Sequence, residues 1–350
     1  MAAPKNETGY KQIRLDLQSK NYQKLYIFYG EEDYLKERYL QRLKKAVVDE
    51  TFAQFNLVEF EWKGLNAEIL TEAIESYPAF SERKMVIIKD LDIYKPPASI
   101  SDILPNLLSD LPDYICLVFY YDTIEYKPDK RTKLYSVINK FASVNEFGRM
   151  SENELITQIS KYVRSAGKEI SKDTCQYLLF LCGNSMTNLL TEIDKAISHS
   201  TLQEIKKYNI ESVCTRTLDA VVFDLTDHIA AKRFDKAISI LNDLIAQKNT
   251  EVMLFSAIQK HMQRMYAAKL FMGTPSANQK ELMSLIGTGS SFYANKMQDM
   301  ARRISINWLR KCIKICGETD IALKSSSADK VKIIEIALLE MASTEDRGKF

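Results

Sequence analysis

Leu25-Tyr26-Ile27-Phe28-Tyr29-Gly30-Glu31-Glu32-Asp33-Tyr34-Leu35 decides how the first part of this 350-residue chain is read. Five apolar residues closed by a glycine read as a buried strand and its end. The charged segment Glu32 to Val48 follows, with Leu35, Tyr39, Leu43, Ala46 and Val47 at helical spacing. A strand that turns through glycine into a helix is where many α/β proteins hold a nucleotide. A phosphate-binding loop there needs glycine amides, a lysine for charge and a hydroxyl for magnesium. This turn offers three consecutive acids instead, and no GxxxxGK[ST] run occurs in the chain. ATP hydrolysis at this turn is therefore not expected, and no cofactor is assigned.

Outward from that stretch the same alternation repeats. Leu57 to Trp62 reads as a more exposed strand, Met85 to Ile88 as a buried one, Tyr114 to Tyr121 as a long apolar one and Val144 to Phe147 as the last. Helices are expected from an Asn66 cap through Ile74, over Ile100 to Leu111 and over Thr132 to Phe141. Strand and helix in alternation imply a mainly parallel sheet covered by helices.

The pattern changes at Ser151-Glu152-Asn153-Glu154, a capping box in sequence. No strand is expected beyond it. Short helices over Ser171 to Cys182 and Ser185 to Ile197 complete a three-helix module ending near Cys214. Longer amphipathic helices follow, one with Leu218, Val221, Val222, Leu225 and Ile229 on a stripe, another with Ala237, Ile238, Leu241 and Ile245. The expected organisation is an α/β domain over 1–148 and two all-α domains over 149–215 and 216–350.

Eleven glycines and eight prolines suit long helices with short connections. The net charge of +2 does not mark a nucleic-acid binder. It divides as −3 before Arg216 and +5 from there on, an imbalance that needs no functional explanation. No apolar run reaches membrane-spanning length, and the polar start lacks the apolar core of a secretion signal. The six cysteines are accordingly read as reduced and the chain as cytoplasmic. Cys312 and Cys316, four apart on a helix, read as a core pair, because no further ligands stand at metal-site spacing. His199, His228 and His261 have no triad around them and read as surface or interface residues. No catalytic residue is assigned.

Several stretches then fall into one order. The strand-Gly30-Glu31-Glu32-Asp33-Tyr34-Leu35 opening is followed by Ser76-Tyr77-Pro78-Ala79-Phe80-Ser81-Glu82-Arg83-Lys84, Asp129-Lys130-Arg131-Thr132-Lys133-Leu134, Asn188-Leu189-Leu190-Thr191-Glu192-Ile193-Asp194-Lys195 and Asp320-Ile321-Ala322-Leu323-Lys324-Ser325. In combination, order and spacing they resemble the delta subunit family of bacterial DNA polymerase III. The resemblance implies an ATPase-like first domain without its nucleotide site, a small helical lid and a C-terminal helical collar. It also implies a subunit that is not itself an enzyme, that binds the beta sliding clamp, and that joins motor subunits and delta-prime in a hetero-pentamer acting on primed DNA. The clamp-binding segment it implies is Tyr77, Pro78, Ala79 and Phe80. Many relatives carry two bulky apolar residues where this chain has Ala79-Phe80, leaving Tyr77 or Pro78 to supply the missing bulk.

Read from the residues, Tyr77, Pro78 and Phe80 are an apolar knob in what is otherwise a polar connection, and Phe80 has two readings: anchor for a partner, or packing under the turn. Lys127, Lys130, Arg131 and Lys133 are either a phosphate contact or the solvated start of a charged helix. Asp320 and Lys324, four apart, are expected to pair on a helix surface. The competing identities are an active clamp-loader ATPase or delta-prime relative, and a helical scaffold or nucleic-acid-binding protein outside replication.

Overall fold

The computed structural model describes residues 9–247, 250–274 and 278–343. These form two compact units that divide between Met150 and Ser151.

In the first unit the elements run α1 (Lys11–Ser19), β1 (Leu25–Tyr29), α2 (Asp33–Val47), a 3-10 turn at Glu50–Phe52, α3 (Ala53–Asn56), β2 (Leu57–Glu61) and α4 (Ala67–Glu75). They continue with β3 (Lys84–Lys89), α5 (Ala98–Ser101), α6 (Leu104–Ser109), β4 (Ile115–Tyr120), α7 (Lys133–Phe141) and β5 (Ser143–Glu146). The five strands make one wholly parallel sheet in the order β2-β3-β4-β1-β5. Alternate residues of each strand enter opposite faces, as the pleat requires. Leu25 and Ile27 pack with Leu70, Ile74, Ile100, Leu104 and Ile138 on one side. Tyr26 and Phe28 pack with Ile13, Leu35, Tyr39 and Leu43 on the other. The expected α/β layer arrangement is present, with β2 at an edge and half exposed.

One expectation needs correction here. Ile100 to Leu111 is not one helix but α5 and α6. Pro105 lacks the N–H that would bond to Ser101, and its ring crowds that carbonyl. Helix α1, for which the sequence raised no expectation, docks on the sheet edge. The Ile13 amide donates to the buried Asn145 Oδ1 (3.1 Å), and the Tyr26 hydroxyl donates to Asp16 Oδ2 (2.9 Å). Burial raises the pKa of Asp16.

The second unit contains α8 (Glu152–Ser165), β6 (Glu169–Ile170), α9 (Lys172–Cys182), α10 (Met186–His199), β7 (Glu204–Ile205) and α11 (Lys207–Val213). Then come α12 (Leu218–Ala230), α13 (Phe234–Ala246), α14 (Glu251–Phe271), α15 (Gln279–Leu285), α16 (Ser291–Arg302), α17 (Ile306–Ser325) and α18 (Lys330–Ser343). The Ser151 capping box is formed. The expectation of no strand is overturned by β6 and β7, a parallel pair two residues long, and α11 adds a helix to the module. Lys168 Nζ donates to the carbonyls of Ser200 (2.8 Å) and Leu202 (2.9 Å) beside that pair.

Among the longer helices, the Trp308 indole N–H donates to the Met341 carbonyl (3.0 Å), tying α17 to α18. Cys312 and Cys316 are buried in this core, and Lys324 Nζ meets Asp320 Oδ2 at 2.7 Å as expected. His261 is a core residue rather than a surface one. It is buried against Phe223, and its Nδ1 lies 3.4 Å from the Tyr293 hydroxyl. Burial lowers its pKa to about 3, so the ring is neutral. No helix among the described residues is long and apolar enough to cross a membrane. The polar tail after Ser343 lies outside the described residues.

Candidate functional site: an aromatic loop and a filled nucleotide turn

Asn66 caps α4 by accepting from the Ile69 amide (2.8 Å), and the helix runs to Glu75 with Leu70, Ala73 and Ile74 on its buried face. Ser76 ends it in extended backbone. Three side chains from elsewhere then hold the following loop. Asn56, fully buried at the end of α3, donates its Nδ2 to the Ala79 carbonyl (2.8 Å) and accepts from the Ala79 amide at Oδ1 (2.8 Å). Lys84 Nζ donates to the Ser76 hydroxyl (2.7 Å) and carbonyl (3.2 Å), and burial lowers the pKa of this ammonium. The Tyr114 hydroxyl donates to the Glu75 carbonyl.

On this pinned backbone the aromatics face outward. Tyr77 is 84% exposed and Phe80 82%. Phe80 is not packed under the turn; its ring only flanks Phe52, with centroids 5.6 Å apart. Tyr77 likewise leans on Tyr114 at 5.1 Å. Phe80 has φ +54°, a left-handed conformation that costs a residue with a Cβ about 1–2 kcal/mol. The hydrogen bonds at Ala79 support that cost. Ala79 and Pro78 are half-buried, so the second bulky group presented is Tyr77. The sequence gives no sign of Asn56, Phe52 and Tyr114 as partners of this loop, because nothing local to them marks a segment 23 or more residues away.

The turn after β1 has a different character. Gly30 has φ +119°, and a Cβ there would lie 2.3 Å from the Phe147 carbonyl oxygen. Only glycine lets the chain after β5 approach this closely. The Phe147 amide donates to the Tyr29 carbonyl (2.7 Å), and the Glu32 amide donates to the Phe147 carbonyl (2.9 Å). An amide that would face a phosphate in a nucleotide-binding loop is therefore spent on protein. Lys36 points its fully buried Nζ at the Gly30 carbonyl (3.1 Å) and Asp33 Oδ1 (2.9 Å). The adjoining cavity of about 420 Å³ is lined by Glu31, Asp33, Asp122, Glu125 and Glu146. Burial raises the pKa of Glu32. With carboxylates at the start of α2, the helix dipole is matched without an external anion.

The basic segment is largely neutralised locally. Lys127 pairs with Glu125 (2.7 Å), and Arg131 grips Asp129 with Nε (2.9 Å) and Nη2 (2.8 Å). Those bonds hold the Asp129 carboxyl down to about 2. Lys133 Nζ donates to Asn106 Oδ1 (3.2 Å), and Lys130 is exposed. Lys127, Lys130 and Arg131 precede α7 in the chain and Lys133 opens it, with Thr132 as the N-cap.

Comparison with known proteins bears on both units. The family model described as DNA polymerase III, delta subunit, matches residues 26–147, and the model for the C-terminal domain of the same family matches 219–341. DNA polymerase III subunit delta of Bacillus subtilis is 24% identical over 333 residues, covering 93% of this chain and 94% of the relative. The probable DNA polymerase III subunit delta of Aquifex aeolicus is 20% identical over 324 residues, 89% of each. Among solved structures, the Bacillus subtilis DNA clamp loader delta protein superposes with a TM-score of 0.57 at 22% identity, over 95% of this chain and 99% of that one. With one model matched in each unit, and relatives aligned along nearly their whole length, the chain belongs to the DNA polymerase III delta subunit family.

Proposed function

We propose that this chain binds the beta sliding clamp through Tyr77, Pro78, Ala79 and Phe80 and holds the ring open, so that a clamp-loader assembly can place it on primed DNA. One observation carries the reading. Two aromatic side chains, each more than four-fifths exposed, stand on a loop whose backbone is pinned by Asn56 and Lys84. Two exposed aromatic rings on one pinned loop, flanked by Phe52 and Tyr114, make an apolar patch of the kind a partner's pocket covers. Burying Phe80 would contribute about 1.5–3 kcal/mol. The pinned backbone reduces the ordering cost on binding. Helix α4 is the rigid lever behind the loop, and Ile69 on it is partly exposed.

In this reading the chain is an accessory subunit, not an enzyme, and works in the cytoplasm. The filled turn at Gly30 and its acidic cavity would repel a triphosphate, so ATP acts through neighbouring motor subunits. The domains are an ATPase-like 1–148, a lid over 149–215 and a collar over 216–350 that joins the motor subunits and delta-prime in a hetero-pentamer. Ile321, Ile336 and Leu339, each at least half exposed on α17 and α18, supply an apolar face for that assembly. Lys127 and Arg131 already pair with carboxylates, so phosphate contact falls to Lys130 and Lys133.

Ring opening requires tighter binding to the open clamp than to the closed one. Titrating the chain into closed clamp rings and into a clamp variant that cannot close tests this. The variant that cannot close should bind more tightly, whereas equal affinities would contradict the proposal.

A further inference from the structure

We propose that Cys182, Glu192 and Cys214 form a binding site for a thiophilic divalent cation of the zinc class, stapling three helical segments of the second unit. Cys182 is the last residue of α9, Glu192 lies within α10, and Cys214 follows α11 as its C-cap. One thiol or carboxylate atom from each lies within 4.8 Å of the other two. Zinc bonds of about 2.3 Å to sulfur and 2.0 Å to oxygen place tetrahedral ligands roughly 3.5–3.8 Å apart. The three groups therefore need to close by no more than about 1.3 Å.

The surroundings suit such an ion. Cys182 and Glu192 are almost fully buried, and Cys214 is half-buried, which leaves a way in. Glu192 Oε2 accepts from the Thr215 amide (2.7 Å) and from Lys195 Nζ (2.6 Å), so the carboxylate is oriented by its neighbours. The Cys214 thiol donates to the Glu192 main-chain carbonyl (3.4 Å), and the Asn188 side chain holds the Cys182 carbonyl (2.9 Å). Binding releases one proton from each thiol. Two thiolates and a carboxylate around a dication leave one negative charge, which the Lys195 ammonium offsets. Water or the second carboxylate oxygen completes four-coordination. Because the ligands stand 10 and 22 residues apart, no compact cysteine motif announces them.

The test uses the full chain, thiol-reduced and stripped with chelator, then titrated with cobalt(II) chloride and back-titrated with zinc chloride. The expected result is one cobalt per chain with a thiolate-to-metal charge-transfer band, displaced by one equivalent of zinc. Cys182→Ser and Cys214→Ser should weaken binding by about 100-fold or more, and Glu192→Gln by about 10-fold. Cys175→Ser, at another buried cysteine, should change nothing. Zinc should also protect Cys214 of the unmodified chain from alkylation, a readout that needs no variant to fold. Absence of the band, its persistence in Cys214→Ser, or a Cys182–Cys214 disulfide in a chain that takes up no metal once reduced would overturn the proposal.

Discussion

Replacing Asn56 by alanine isolates the positioning of the aromatic loop from the aromatic ring itself. Asn56 is fully buried and contributes two 2.8 Å hydrogen bonds, one in each direction, to the backbone of Ala79. At about 0.5–1.5 kcal/mol net for each bond, the variant loses roughly 1–3 kcal/mol of preference for the observed loop. Phe80, next in sequence, then relaxes from its left-handed conformation, which recovers about 1–2 kcal/mol for the wrong geometry. If only the pinned loop binds the clamp, apparent affinity falls by the fraction of chains that keep it, about 5- to 150-fold. Calorimetric titration into the clamp, with a thermal melt of the same sample, measures both consequences. Asn56→Asp should be at least as damaging, because a carboxylate oxygen would face the Ala79 carbonyl where an amide N–H now donates. In a double-mutant cycle Phe80→Ala should cost less in the Asn56→Ala background, since the ring is no longer presented. Affinity within twofold of the parent protein would refute the idea that Asn56 positions this loop.

Three further outcomes are expected. Calorimetry with ATP or ADP should show no saturable binding, because the Glu32 amide is bonded to Phe147 and the adjoining cavity is acidic; binding of one nucleotide displaced by the other would contradict this. His261 should make the fold acid-sensitive: its pKa is near 3 when folded and about 6.5 when unfolded, so below pH 6.5 the unfolded chain binds the extra proton. Its stabilisation is full above pH 6.5 and is lost as pH falls toward 3, by up to about 1.4 kcal/mol per pH unit. Urea unfolding of His261→Phe between pH 6.5 and 4.5 should show a shallower slope than the parent chain. Ile336→Asp with Leu339→Asp should abolish co-purification with motor subunits while leaving the melting temperature within a few degrees; unchanged co-purification would remove these residues from the interface.

Much of the first unit was legible because burial on both faces writes strands as apolar runs. Leu25–Tyr29, Lys84–Lys89 and Ile115–Tyr120 are central, and the half-exposed edge strand Leu57–Glu61 shows charged residues at alternate positions. Helix α1 was not legible, because of its nine residues only Ile13 and Asp16 are buried and its anchors, Tyr26 and Asn145, lie outside it. The break between α5 and α6 was written in the sequence at Pro105, but the apolar spacing of Ile100, Leu104 and Leu108 masked it. Strands two residues long, such as β6 and β7, carry no periodicity to detect. At the loop, an apolar cluster beside Pro78 was visible, whereas its exposure and the Asn56 clamp depend on tertiary placement. His261 looked like a surface residue because a lone polar side chain gives no sign that Phe223 and Tyr293 will enclose it.

The central claim is that Phe80 is an anchor presented to the clamp, and the most direct measurement is clamp affinity and melting temperature on the same Phe80→Ala protein. At 82% exposure the ring contributes little to the packed interior, so the melting temperature should stay within a few degrees of the parent chain. Truncating a central aromatic anchor costs about 2–4 kcal/mol of binding, so affinity should fall about 30- to 1,000-fold. Clamp affinity unchanged in a fully folded Phe80→Ala chain would contradict the account.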